Sequence, residues 1–480
     1  MINLSALGRR LTYWLALTAA TVLSACATPP RGEPAARAPV SESDLGLTGV
    51  AVPASADAWW QSFADAQLDR LMQQALSGNP GLTEAGARLR EAQAQAALAR
   101  SAQFPSAKLS GGETRLKIPS GFPPAIGAGQ TVWAGDLGAS LLWDIDLWGK
   151  HADAFAQARA LSRAAGLDVE SARLLVTGSV VQAYIDLYRA YARADIAERA
   201  QAQRANILDI TRRRVAAGLD TRVELRQAEG QLLQSKIALT QAQSAQALAV
   251  HELAALMGRG ANDYSDITRP TLDLNAGLPL PASLPINLLS RRPDVIAARA
   301  RIEAADAQKR AAKAAFYPDV NLKAFAGFAS FSLQDLIGAS SFGYGAGPSF
   351  SLPLFDAGRL RAEYRGAEAQ LDEAVANYDD AVVHAVRQAA DQLEQIDALA
   401  GELEQQQQSL AAAEDAYRLA EERYRAGLAG YLTVLNVETQ VLNERQQHVD
   451  LSASLALSRV TLLLAVGGNF HDQNPKVAAR

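Results

Sequence analysis

Lys150–Ala217 reads KHADAFAQARALSRAAGLDVESARLLVTGSVVQAYIDLYRAYARADIAERAQAQRANILDITRRRVAA and contains no proline. It sits inside a longer proline-free run of 145 residues between Pro124 and Pro270. Ala, Gln, Leu, Glu and Arg dominate, residue types that lose little rotamer freedom in a helix. Leu167, Leu174, Val181 and Tyr188 recur every seven residues, the spacing of a coiled-coil seam. A helix of 68 residues extends ~100 Å at ~1.5 Å per residue, too long for one compact globule. The persuasive break is Ala217-Gly218-Leu219-Asp220-Thr221. There glycine allows a left-handed C-cap, and Asp or Thr can cap a second helix running to Met257. Taken alone, the stretch reads as a dimeric coiled coil.

Repetition argues against that reading. A shift of 209 residues superposes Gly149-Lys150 on Gly358-Arg359, Gly218-Leu219 on Gly427-Leu428, Glu229 on Glu438 and Gly258 on Gly467. Upstream the shift is 213, bringing Asn79-Pro80 onto Arg292-Pro293, Arg88 onto Arg301 and Phe104-Pro105 onto Tyr317-Pro318. The four-residue difference arises between Pro105 and Gly138, where a loop is expected. Each copy reads as helix, strand pair, very long helix, glycine turn, helix. The expected organisation is a signal peptide at 1–25, a lipid-anchored tether at 26–58, a first repeat at 59–260, an equatorial linker at 261–290, a second repeat at 291–468 and a polar tail at 469–480.

The N-terminus reads as an export signal: Arg9-Arg10, an apolar run from Leu11 to Leu23, then Leu23-Ser24-Ala25-Cys26. That ending resembles a bacterial lipoprotein signal, with Cys26 acylated as the mature N-terminus. Cys26 is the sole cysteine, which excludes an intramolecular disulfide framework. Ala27 rather than Asp follows it, a pattern that resembles outer-membrane sorting. The net charge of −5 offers no basic face for nucleic acid. No later segment carries ~18 consecutive apolar residues, so a membrane crossing would need strands.

Strands are what Ala107 onward predicts. Trp133, Leu137, Ala139, Leu141, Trp143, Ile145 and Leu147 alternate with Ala134, Asp136, Gly138, Ser140, Leu142, Asp144 and Asp146. Phe342, Tyr344, Ala346, Phe350, Leu352 and Leu354 alternate with Gly343, Gly345, Gly347, Ser349 and Ser351 in the second copy. Ala107–Ile118 and Val320–Phe331 are the expected partners. Four such strands cannot close a barrel, and an open edge in lipid leaves backbone groups unpaired at several kcal/mol each. A membrane reading therefore forces several copies together, with Trp133, Leu141, Trp143, Phe350 and Leu352 facing lipid. A soluble sandwich with a polar outer face is the alternative. The Pro-rich stretch Gly260–Ser290 reads as an irregular strap outside the helices.

Several stretches together carry a resemblance: Trp59-Trp60, Phe63, Leu68-Asp69, Leu71, Ala75-Leu76 and Asn79-Pro80; Leu288-Leu289-Ser290-Arg291-Arg292-Pro293-Asp294; Gly347-Pro348-Ser349 and Pro353-Leu354-Phe355-Asp356-Ala357-Gly358-Arg359; and the turns at Gly218 and Gly427. In these the chain resembles the TolC-like outer-membrane efflux factor family, specifically its NodT-type lipoprotein branch, over essentially the whole mature length. The resemblance implies an α+β membrane protein. Its homotrimer would have a 12-stranded β-barrel in the outer membrane, continued by a long α-helical coiled-coil barrel through the periplasm.

It further implies an exit duct of a tripartite efflux system, passing drugs or other small molecules from a periplasmic adaptor and an inner-membrane pump. Gly218, Leu219, Gly427 and Leu428 would form the tip that docks on the adaptor. By the same carry-over the tyrosine that locks the closed tip falls on Tyr424, and its acidic partner on Glu224. The family's acidic ring falls on Thr433 and Asn436, which carry no charge, and its tip arginine on Ala429. The resemblance thus keeps one lock, lacks another and implies a mouth less selective for cations.

Other function classes fit less well. His151, His251, His384, His448 and His471 show no metal-ligand spacing. Gly343, Gly345 and Gly347 precede no helix directly, so they are not a phosphate cradle, and Asp136, Asp144 and Asp146 suit the polar side of a barrel better than a catalytic pair. No enzyme, cofactor or metal site is expected. Met1, Met72 and Met257 are too few for a Cu(I) relay. Two further readings remain open: a pore-less lipoprotein spacer, and an outer-membrane channel for type I protein secretion on the same fold.

Overall fold

The computed structural model describes residues 38–40, 45, 47, 50–51, 56–121, 123, 128–275, 277–278, 280–285 and 287–470. Cys26, the signal region 1–25, much of the 26–58 segment and the tail after Phe470 lie outside the described residues. A 3-10 turn at Trp59–Phe63 leads into α1 (Ala66–Gly78) and α2 (Pro80–Ser101). There follow β1 (Ser106–Lys117), β2 (Thr131–Ile145), α3 (Lys150–Ala216) and α4 (Arg222–Leu256). After a strap come α5 (Pro293–Ala314), β3 (Asp319–Ser330), β4 (Phe342–Ser351), α6 (Arg359–Arg425) and α7 (Tyr431–Ala465). The order helix, two strands, long helix, helix occurs twice, and α3 and α6 are both 67 residues long.

Two compact units emerge, one containing Leu89–Ala165 and Ala298–Tyr378, the other Gly166–Ala297, Asp379 onward and the described part of Val40–Arg88. The first unit holds the sheet, a purely antiparallel meander in the order β1-β2-β3-β4. Its register puts Leu109, Ala139, Ala326 and Tyr344 in one cross-strand row, and Ala107, Leu141, Ala324 and Ala346 in the next. Because strand side chains alternate, Trp133, Leu137, Trp143, Leu322, Phe328, Phe342 and Phe350 share that same face. The opposite face carries Lys108, Ser110, Asp136, Ser140, Asp144, Asn321, Lys323 and Ser349. Leu116, Val132, Leu142 and Phe325 interrupt the polar side; the Phe325 ring lies where a Cβ on Gly345 would come within 2.7 Å, which is why the neighbouring strand carries glycine there. β1 and β4 are left as edges, so one chain does not close the sheet.

Phe350 is 80% exposed on the apolar face, and Trp133 is also exposed. Leu141 and Trp143 are half-buried, and the Trp143 indole donates to the Gln103 carbonyl at 3.2 Å. Leu352 lies outside the sheet: the ladder ends at Asp319↔Ser351, one residue short, where Pro318, opposite Leu352 in that register, and Pro353 both lack an N–H to continue it. At the strand–helix junction Asp144 meets His151 at 2.8 Å, Asp146 accepts from the Ala152 amide at 2.7 Å, and Lys150 pairs with Asp319 at 3.2 Å.

The second unit has the larger core. Trp59, Phe63, Leu68, Leu71 and Met72 pack on Val180, Val181, Tyr184 and Leu187 of α3, Leu253 and Met257, and Val460 and Leu463 of α7. α7 is long and apolar enough to cross a membrane by composition, but its C-terminal half is spent on this core. Asp65 caps α1 by accepting from the Gln67 amide at 2.9 Å. The same carboxylate accepts from the Tyr184 hydroxyl at 2.8 Å and the Thr271 amide at 2.7 Å. Gln67 bonds both the amide and the carbonyl of Thr268, each at 2.9 Å. The strap between the repeats is thus tied to α1 by an aspartate and an amide side chain, not left as a tether.

Candidate functional site

The turns between α3 and α4 and between α6 and α7 are built alike. Gly218 and Gly427 have φ of 72° and 77°, the left-handed region that glycine enters without steric cost. The Leu219 amide donates to the Arg214 carbonyl at 2.9 Å and the Gly218 amide to Val215 at 3.1 Å. The Leu428 amide repeats this to Arg423 at 2.8 Å, and Gly427 to Tyr424 at 3.0 Å. Each turn is therefore a Schellman cap that satisfies the last carbonyls of a long helix. Leu219 and Leu428 project from the two turns, both exposed.

Tyr424, in the last turn of α6, is fully buried at 0% exposure. Its hydroxyl donates to Asp220 Oδ2 at 2.8 Å and lies 3.0 Å from the Thr211 hydroxyl. Arg214 donates to both oxygens of Asp220, from Nε at 2.8 Å and Nη2 at 3.0 Å. Its Nη1 donates to the Tyr424 carbonyl at 3.1 Å, and the guanidinium stacks 4.6 Å from the Tyr424 ring centre. The planar fork of arginine thus grips a carboxylate on its own turn and the backbone of the other hairpin at once. The Arg214 guanidinium holds the Asp220 carboxyl below its ordinary range, with the Tyr424 hydroxyl assisting against burial. Burial pushes the Tyr424 phenol up, and the neighbouring Asp220 charge adds to that. With the Asp220 side chain 8% exposed, the cluster is a shielded ion pair rather than a surface one.

The expected pairing of Tyr424 with Glu224 is not formed. Glu224 is the third helical residue after Thr221, and the two make a capping box: the Glu224 carboxylate accepts from the Thr221 amide at 2.9 Å. That bond turns the side chain back onto its own helix, and Asp220, one residue before the cap, faces Tyr424 instead. The Thr221 hydroxyl holds the exposed Glu224 carboxyl below its ordinary range. Arg214 and Thr211 were absent from the sequence-level expectation. Ala429 leaves the second turn without an arginine, and Arg214 of the first hairpin brings one to the cluster. Thr433 and Asn436 both lie on the exposed side of α7, uncharged.

The profile of the outer membrane efflux protein family matches residues 71–259 and 284–468, one segment in each repeat. The chain is 37% identical over 317 residues to the fusaric acid resistance protein FusA of Burkholderia cepacia, covering 65% of this chain and 59% of that protein. It is 31% identical over 425 residues to the multidrug resistance outer membrane protein MdtP of Escherichia coli K12, covering 86% of each. Among solved structures, the outer membrane protein VceC of Vibrio cholerae superposes with a TM-score of 0.82 at 33% identity, over 87% of this chain and all of that one. With both repeats matched by the family profile, and the overall fold shared with VceC, the chain belongs to the outer membrane efflux protein family.

Proposed function

We propose that three copies of this chain form one passive exit duct for drugs or other small molecules, fed by a periplasmic adaptor and an inner-membrane pump. The observation that carries this reading is the sheet: one face apolar through β2, β3, β4 and the start of β1, charged only at Glu113, Arg115 and Lys117 toward the far end of β1, the other face largely polar, and both β1 and β4 left open. Three sheets of four strands give twelve, enough for a membrane barrel, and pairing β4 of one copy with β1 of the next removes every edge from lipid. Trp133, Leu141, Trp143 and Phe350 then face hydrocarbon, with Leu352 at the interface. Cys26 carries the lipid, 1–25 is removed, and 59–260 and 291–468 act as the two halves of the duct wall. The duct transports without catalysing a reaction.

Gly218, Leu219, Gly427 and Leu428 are the adaptor-docking tip in this reading. The Arg214–Asp220–Tyr424 cluster is the latch that keeps the two hairpins together at rest, and Thr433 and Asn436 flank the narrow part of the pore. The multidrug and fusaric acid names of MdtP and FusA favour small organic cargo. A deletion strain tested against a drug panel checks the reading: raised susceptibility, restored by the wild-type gene, is the expected result. Unchanged susceptibility together with no conductance from the purified protein in planar bilayers would overturn it.

A further inference from the structure

One helical layer beyond the latch, a second charged pair lies deeper in the helices. Glu438 of α7 is 2% exposed, and Arg204 of α3 is also largely buried. Their facing atoms, Arg204 Nε and Glu438 Oε1, stand 3.6 Å apart, and neither has a hydrogen-bond partner. Ile207, Leu208, Ala228, Tyr417, Tyr431, Val434 and Val441 form the apolar cluster of this layer. The repeat makes the burial informative. Glu229, which the 209-residue shift places on Glu438, is half-exposed and paired with Arg226 three residues before it at 2.7 Å. One copy of this carboxylate is solvated, and the other is held between helices with an imperfect partner.

We propose that Glu438 is a proton-responsive element of the tip, protonation of its buried carboxyl favouring tight packing of the α3–α4 and α6–α7 hairpins and ionisation favouring their loosening. This rests on the latch reading above and adds a regulator to it. Among the described residues, the charged or titratable groups that act on Glu438 come from three helices. α3 supplies Arg204, whose Nη1 is tied to the Gln231 carbonyl of α4 at 3.2 Å. α6 supplies Tyr417 and Glu421, the latter bonded to Arg425 at 2.6 Å. α7 itself supplies Tyr431.

The sign follows from which effect dominates. Burial raises the Glu438 carboxyl above its ordinary value of 4.5, and Arg204 opposes this without cancelling it. A carboxyl raised in the packed state favours packing while protonated. The stabilisation is complete below 4.5 and is lost as pH rises through the folded value. Acidification therefore tightens this layer. The Arg214–Asp220 pair behaves oppositely, since its carboxyl is held low and loses its charge only in stronger acid.

The test reads the layer directly, by hydrogen exchange of the 431–441 amides in the purified trimer, corrected for intrinsic exchange, between pH ~5 and ~8. Wild type is expected to lose protection as pH rises, about tenfold in the opening constant for each unit by which Glu438 stands above its ordinary value. Glu438→Gln, which mimics the protonated acid in shape, is expected to stay protected at both ends. Arg204→Met removes the opposing charge and is expected to move the transition to higher pH. If Glu438→Gln keeps the wild-type pH dependence, or if Arg204→Met leaves the transition in place, the proposal is overturned. Planar-bilayer conductance of Tyr424→Phe, recorded alongside, separates the two ideas: no rise there sinks the latch, whatever the exchange data say of Glu438.

Discussion

Replacing Asp220 is the sharpest probe of the tip, because three bonds converge on one carboxylate. Asp220→Ala removes the acceptor for the Tyr424 hydroxyl and for two Arg214 nitrogens. An exposed ion pair contributes at most about 1 kcal/mol, whereas breaking a fully buried pair by deleting one partner costs about 3–5 kcal/mol. At 8% exposure Asp220 lies close to the second case. Arg214, however, keeps the Tyr424 carbonyl and ring, so about 3 kcal/mol per protomer is the expected loss. At about 1.4 kcal/mol per factor of ten, that favours the open tip by roughly a hundredfold. Tyr424→Phe removes one bond to a charged acceptor, about 1.5 kcal/mol at the low end of that class, and about a tenfold shift.

Conductance of purified trimers in planar bilayers should therefore rise in the order wild type, Tyr424→Phe, Asp220→Ala. The double variant should resemble Asp220→Ala, because both substitutions break the same contact. Glu224→Gln should conduct like wild type, since its carboxylate serves only the Thr221 cap. Unchanged conductance in Tyr424→Phe and Asp220→Ala, or a rise in Glu224→Gln equal to theirs, would refute the assignment.

Further outcomes follow from the sheet, the strap and the N-terminus. Leu141→Arg sets a charge against hydrocarbon, costs roughly 2–4 kcal/mol near the midplane, and should reduce trimer yield on native gels; Leu352→Arg, beyond the last ladder pair, should cost less. Asp65→Ala loses an N-cap, about 1 kcal/mol, and strands the Tyr184 hydroxyl and Thr271 amide, about 1–3 kcal/mol more, lowering the melting temperature. Although burial opposes it, the Thr271 amide and Tyr184 hydroxyl hold the Asp65 carboxyl below 3.8. Its contribution should therefore be intact above 3.8 and fade as pH falls through the folded value. Mass spectrometry of the mature protein should find an acylated Cys26 at the N-terminus; an unmodified Cys26 or cleavage elsewhere would remove the lipid anchor from the account.

What the sequence determined by itself was everything local or periodic. Proline-free runs and helix-forming composition gave α3 and α6, because helix propensity is summed residue by residue. Alternation over Trp133–Ile145 marked the strand and its apolar face, because side-chain direction in a strand has a period of two. Gly218 and Gly427 marked the turns, because a left-handed φ is a single-residue property. Even Glu224 was readable: Thr221-Arg222-Val223-Glu224 is a capping-box spacing, which assigns that carboxylate to its own helix and leaves Asp220 free. The tertiary structure alone decided what meets across the hairpins. Arg214 lies 210 residues from Tyr424, and Arg204 lies 234 from Glu438, and no local pattern ties such positions. Whether Glu438 or its repeat counterpart Glu229 is buried depends on which helix covers it. Sequence periodicity is blind to this, because both copies carry the same residue at the same place in the repeat.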